Sequence, residues 1–214
     1  MEPVKSKRRY DSSRRREQAA ATRTAILEAA QRLFEQQGYT GTTMAAIAAE
    51  AGVSLKTVYV AFETKAGVLR GLWHRLLRGD EIDVPVGERS WYREVLDEPD
   101  PERQLRLNAR NSRIVKQRAG MLLDVFRGAA PSDPEINELW TRVQREFYDN
   151  QRAIVESLAS KDALALDVTR ATDILWTLNH PNQWQLLVVD RGWTPAEYER
   201  WFADTACAQL LRTA

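Results

Sequence analysis

Residues 43–62 read Thr-Met-Ala-Ala-Ile-Ala-Ala-Glu-Ala-Gly-Val-Ser-Leu-Lys-Thr-Val-Tyr-Val-Ala-Phe, and the order of capping, small and apolar residues in this stretch decides the fold. The Thr43 hydroxyl can accept from the first free amides of a helix over residues 44–51, and Ser54 can do the same for a second over 55–61. Between them Gly52 tolerates the backbone that a tight turn demands. Met44, Ile47, Ala48 and Ala51 share one face of the first helix, while Val53, Val58 and Phe62 fill the joint, and the alanines let the two helices cross closely. Polar residues stay on the outer face of the second helix. The pattern is a helix-turn-helix, whose second helix has the right size for a DNA major groove. A plain structural hairpin has the same periodicity, so charge has to separate the two readings.

Working outward, Ala25, Ile26, Ala29, Ala30, Leu33 and Phe34 recur at helical spacing, which predicts a helix from about residue 15 to 37 that Gly38 ends. Thr64 caps a fourth helix over residues 65–78, with Val68, Leu69, Leu72, Leu76 and Leu77 inward and Gly79 after it. Residues 1–79 hold 14 basic and 7 acidic side chains, and residues 80–214 hold 17 and 23, so a formal charge of +1 is the sum of a +7 head and a −6 remainder. A basic head joined to an acidic body points to a polyanion as partner of the head alone. Half of its cations (Lys5, Lys7, Arg8, Arg9, Arg14, Arg15 and Arg16) crowd an opening segment without apolar periodicity, expected to be a disordered arm over residues 1–18. Residues 19–79 then form the helix-turn-helix domain with its linking helix, and 80–214 a second domain.

The run from Ile26 to Leu69 resembles the DNA-binding domain of TetR-type (tetracycline-repressor-like) transcriptional regulators. The resemblance rests on Leu33-Phe34, Gly38, Gly41-Thr42-Thr43, Ile47-Ala48, Ala51-Gly52-Val53-Ser54, Thr57-Val58-Tyr59, Phe62 and Thr64-Lys65. It implies that Thr43, Tyr59 and Lys65 contact DNA phosphates, for which a hydroxyl, a phenol and an ammonium are competent donors. It also implies that Ala45, Ser54, Leu55, Lys56, Thr57, Val60 and Ala61 lie at the bases or the adjacent backbone. Lys56 could donate to guanine, and Leu55, Thr57 and Ala61 could meet thymine methyls. This chain departs from the family after Tyr59, where relatives often carry a large aromatic or His: Val60 and Ala61 stand there, which suggests apolar or shape readout. The arm could enter a flanking minor groove or merely solubilise the head.

Beyond residue 80 the reading is all-α. Residues 80–99 connect, with a short helix possible at Trp91 to Leu96. Asp100-Pro101 and Asp133-Pro134 each open a long helix, the first with a break expected near Gly120. Residues 167–179 and the capping box Thr194-Pro195-Ala196-Glu197 open two more, with Pro181 forcing a break between them. No catalytic or cofactor-binding motif occurs, so no enzyme, cofactor or metal is expected. His74 and His180 are a hundred residues apart, with His180 expected to cap the helix before Pro181. One cysteine, Cys207, suits a reducing compartment and a packing role. No apolar run spans a bilayer and no leader pattern opens the chain, so the expected compartment is the cytoplasm, without a membrane partner.

Six of seven tryptophans follow residue 80, and the resemblance implies an effector cavity among the helices there. Phe126, Trp140, Phe147 and Trp176 could line it for a small apolar or aromatic effector, with Arg113, Asn111 or Gln144 as polar contacts. The resemblance likewise puts a two-fold interface on the helices carrying Ile174, Leu178, Trp201 and Thr205. The expected protein is a homodimeric regulator that binds a palindromic duplex operator as a repressor and is released by its effector. The rival expectation is a helical small-molecule-binding protein or enzyme whose basic head binds nucleic acid.

Overall fold

The computed structural model describes the backbone of residues 6–78 and 86–212 and the side chains of 14–76 and 86–212. All named elements in it are helical. The chain divides into two compact units, Met1–Trp73 and His74–Ala214.

In the first unit α1 (Ser6–Gly41) is interrupted at Gly38, whose φ of 70° is the left-handed value that a helix end takes on a glycine. The segment expected to be disordered is therefore helical from Ser6 onward, and residues 1–5 lie outside the described residues. Arg, Glu, Gln and Ala are strong helix formers, so an anchored helix propagates back through them even though no apolar stripe asks for it. Next come α2 (Met44–Glu50), α3 (Leu55–Phe62) and α4 (Lys65–Arg78). Both predicted caps are made: Thr43 accepts from the Ala46 amide and Ser54 from the Thr57 amide, each at 3.1 Å. The chain turns through 111° between α2 and α3 at Gly52 (φ 66°), within the range of a helix-turn-helix. Ile26, Ala29, Ala30, Phe34, Ile47, Val58, Phe62, Leu69 and Leu72 form the core on which the three short helices are fixed.

The second unit begins at His74 within α4 and continues with a single 3-10 turn (Val86–Glu88) and α5 (Ser90–Asp97), followed by α6 (Pro101–Ala129), α7 (Pro134–Ser160) and α8 (Val168–Leu178). A four-residue α9 (Pro181–Trp184) runs into a π-helical turn (Gln185–Asp190), and α10 (Pro195–Leu210) closes the unit. Asp100, Asp133, Asp167 and Thr194 all cap as their sequence context predicts, and the Thr194/Glu197 capping box is complete. Two expectations are corrected. α6 is unbroken at Gly120, because that glycine is a packing notch: a Cβ there would lie 3.3 Å from the Trp184 indole nitrogen. His180 caps the helix after it, accepting from the Asn182 amide at 3.2 Å, while Asn179 ends α8. Leu105, Ala109, Ile154, Val155, Leu158, Ala171, Leu175, Tyr198 and Phe202 form the core. Among the described residues no single helix is long and apolar enough to cross a membrane.

Candidate nucleic-acid interface

The surface that α3 presents is unusual for a soluble chain. Of the six large apolar side chains left exposed among the described residues, three are on this one eight-residue helix: Leu55 at 42%, Tyr59 at 48% and Val60 at 77%. Lys56 and Ser54 are exposed beside them, Thr57 and Ala61 half-exposed. Single exposed apolar residues need no explanation, but three clustered with a lysine on one face mark a surface meant to be covered. Thr43 and Ala45 are exposed at the start of α2. No acidic residue stands in the first turn of α2 or α3, so nothing neutralises the partial positive charge of either N-terminus.

The capping hydroxyls have prior engagements. Ser54 Oγ and Thr57 Oγ1 are 2.8 Å apart, and Ser54 already receives the Thr57 amide, so these two hydroxyls hold the N-terminus of α3 in shape and keep only part of their bonding capacity for a ligand. Thr57's methyl, Leu55 and Val60 supply apolar contact; Lys56 and Tyr59 supply the donors.

Lys65 is the largest revision. Its ammonium donates to the carbonyls of Tyr39 and Thr42, each at 2.8 Å, and lies 4.1 Å from the centre of the Tyr39 ring. It staples the start of α4 to the end of α1, where free carbonyls carry partial negative charge. Two of its three protons are thus committed inside the domain. Sequence reading could not see acceptors 26 and 23 residues away. Arg23 was missed for the same reason: it donates to the Ala61 carbonyl at 2.8 Å and stacks 4.0 Å from the Phe62 ring, clamping the C-terminal end of α3. Arg32 pairs with Glu50 at 2.8 Å across α1 and α2.

The junction from α3 to α4 is tight. Glu63 has φ 60° and ψ −52°, and the Thr64 amide bonds the Phe62 carbonyl at 2.6 Å, the geometry of a strained γ-turn. Gly67 makes this possible: a Cβ on it would stand 2.1 Å from the Phe62 carbonyl oxygen, and one on Gly71 would stand 2.8 Å from the Phe62 ring. Gly67 and Gly71, four apart on one face of α4, were the readable signal for this close approach.

In the second unit the proposed cavity residues fall into two groups. Phe126 and Trp140 stack with ring centres 6.2 Å apart; Phe147 and Trp176 both meet His180, at 6.5 and 5.0 Å. Of the proposed polar contacts, Arg113 is paired with Glu199 and Asn111 donates to the Trp91 carbonyl. Gln144 fits better, with a buried side-chain oxygen that lacks a partner. Ile174, Leu178 and Trp201 are half-buried, each with one side on the core, and Thr205 is half-buried beside them on α10. The Cys207 thiol is half-buried, and its burial pushes its ionisation up, away from the reactive thiolate.

α6 buries a polar ladder at four-residue spacing, Gln104, Asn108, Ser112 and Lys116, of which sequence reading put only Ser112 on the inner face. Its signal was plain in the spacing, but polar residues are ordinarily assigned to the outer face.

Comparison with known proteins agrees with this geometry. Residues 26–72 match the family model described as bacterial regulatory proteins, tetR family. Over 150 residues the chain is 28% identical to the HTH-type transcriptional regulator TtgR of Pseudomonas putida, covering 69% of each chain. Among solved structures it is similar in fold to NalD, the secondary repressor of the MexAB-OprM multidrug efflux pump in Pseudomonas aeruginosa, with a TM-score of 0.69 at 22% identity over 92% of this chain and 100% of that one. It is also similar to a Saccharomonospora viridis transcriptional regulator solved in complex with choline, with a TM-score of 0.70 at 17% identity over 89% and 98%.

Proposed function

We propose that this chain, which carries over residues 26–72 the DNA-binding domain of the tetR family of bacterial regulatory proteins, is a ligand-responsive transcriptional repressor acting in the cytoplasm as a homodimer on a palindromic operator. The observation that carries this reading is the face of α3, where Leu55, Lys56, Tyr59 and Val60 stand exposed on a helix locked at both ends by Ser54 and by Arg23. A helix fixed in this way offers side chains to base edges without paying to order them on binding.

In this reading Thr43, Tyr59 and Lys65 fix register on phosphates. Lys56 reads guanine, and Leu55, Thr57, Val60 and Ala61 read thymine methyls, with Ala45 and Ser54 against the adjoining backbone. Ile174, Leu178, Trp201 and Thr205 belong to the two-fold contact, which sets two recognition helices about 34 Å apart to meet successive major grooves. An effector enclosed by the C-terminal helices favours one of two arrangements of that dimer, and its affinity and that for DNA are then reciprocally coupled. The relatives are regulators, and the structures include one solved with choline, which supports a small molecule as the signal.

The test is selection of bound duplexes from a random pool, followed by anisotropy titrations against salt. The expected outcome is a palindromic site whose affinity falls at least tenfold in Tyr59→Ala, on specific and random duplex alike. Binding indifferent to duplex sequence at physiological salt would overturn the reading and leave the rival, a helical protein with a merely polyanion-binding head.

A further inference from the structure

Lys116 is the one charged residue of the ladder. It is 5% exposed in the middle of α6, donates to Ser112 Oγ at 2.5 Å and to Asn179 Oδ1 at 2.6 Å, and lies 5.4 Å from the centre of the Tyr198 ring. Both acceptors are neutral. Asn179 is held in turn by Gln151 at 3.1 Å and bonded to Ser112, so the cage draws on α6, α7, the end of α8 and α10. Among the described residues no carboxylate pairs with it, and burial pulls the lysine down to about 7.

A buried ammonium without a counter-ion is expensive, and an apolar residue of the same volume would stabilise the fold more. The surroundings also hold too many donors. Asn108 Nδ2, one turn before Ser112, and the Trp176 indole N–H are buried without acceptors, against a single buried acceptor without a donor, Gln144 Oε1. The Tyr198 hydroxyl, fully buried and facing Ser112, can donate as well. What such a region lacks is an oxygen that accepts several bonds and carries negative charge.

We propose that Lys116 is the counter-ion for an acidic effector, a carboxylate or phenolate on an aromatic or aliphatic body, bound among α6, α7, α8 and α10. The inference rests on the reading above that the C-terminal domain binds an effector, and it names the chemical class. The acidic oxygen takes the place that no side chain fills: it accepts from Lys116 Nζ and from the Asn108 and Trp176 donors, while the rings of Trp176, His180 and Phe147, already in contact, provide the face for the organic body.

The experiment uses the full chain and calorimetry with naphthoate and octanoate, each paired with its uncharged amide, naphthamide and octanamide. Acids are expected to bind at least tenfold more tightly than their amides. Lys116→Met removes the preference. Asn179→Asp supplies an internal carboxylate beside Lys116 and weakens the acids at least tenfold without weakening the amides, a result that a merely structural lysine would not give. Equal affinity of acid and amide, no binding by either acid, or a preference that survives both variants overturns the proposal. The same ligands are added to the operator complex to keep the two claims apart. Amides that bind and release DNA refute the acidic class but keep the effector reading, whereas acids that bind without releasing DNA keep the site and refute its regulatory role.

Discussion

Replacing Lys116 by Met changes how stability depends on pH, and the sign and size follow from its surroundings. In the unfolded chain a lysine holds its proton up to 10.5, whereas in the folded protein burial pulls that value to about 7. Below pH 7 both states are charged, and the folded state carries the whole cost of a buried cation, at about 1.4 kcal/mol per pK unit some 5 kcal/mol in all. Between 7 and 10.5 the unfolded chain binds a proton that the folded one does not, so this residue makes stability rise with pH through that window. The same relation gives roughly 2–3 kcal/mol of gain between pH 6 and pH 9. Lys116→Met lacks this term. The expected outcome in urea unfolding at fixed protein concentration is a variant more stable than the parent by several kcal/mol at pH 6, with the difference shrinking by about 2–3 kcal/mol at pH 9. Taking the difference cancels the other titrating groups, including Tyr92 and Tyr198, whose burial raises their ionisation well above the usual phenol range. Parallel pH profiles for parent and variant would refute the reasoning, because they would mean that Lys116 is solvated or paired.

Lys65→Ala removes two charge-assisted bonds and a ring contact; the expected loss is about 2 kcal/mol, a fall in Tm of roughly 5 °C by calorimetry, with a salt slope of DNA binding lower by about one. An unchanged slope with the same fall in Tm would assign it to the staple alone. Lys56→Ala, on an exposed side chain that no hydrogen bond ties down, leaves Tm within about 0.5 °C and relaxes preference at one base position of the selected site, costing about 1–3 kcal/mol there. Gly67→Ala forces a methyl to within 2.1 Å of the Phe62 carbonyl, so the expected loss is about 3 kcal/mol or more, with operator binding lost alongside; a variant of parental stability would show that α3 and α4 can part without cost.

What was legible in the sequence was local. The caps at Thr43, Ser54, Asp100, Asp133 and Thr194 could be read because a cap and its acceptor or donor are two or three residues apart, and the helices they open follow at their predicted positions. Gly38 and Gly52 were legible because a positive φ nearly demands glycine. What was not legible was the use of long side chains. Lys65 and Arg23 could have faced solvent or DNA on periodicity alone, yet both close onto carbonyls 23 to 38 residues away. The Lys116 cage was illegible for a different reason: a search for apolar faces keeps Ser112 but discards Gln104, Asn108 and Lys116 by type, although their spacing puts all four on one side of the helix.

These engagements change what the basic head can do. A charge of +7 on residues 1–79 suggests a broad electrostatic grip, but Arg23, Arg32 and Lys65 spend much of their bonding within the domain, and of the α3 side chains only Lys56 is cationic. Counterion release counts the cations that reach phosphates, not the formal total, so the recognition helix contributes little to it. The larger reserve lies in α1, where Arg14, Arg15 and Arg16 are exposed. In the proposed docking these arginines would add chiefly to affinity, and selectivity would rest on a nearly neutral helix that exposes Leu55, Val60 and Tyr59. Separating the two functions has a physical consequence: salt scales specific and non-specific binding together, and the ratio that decides which operator is occupied stays with the apolar face of α3.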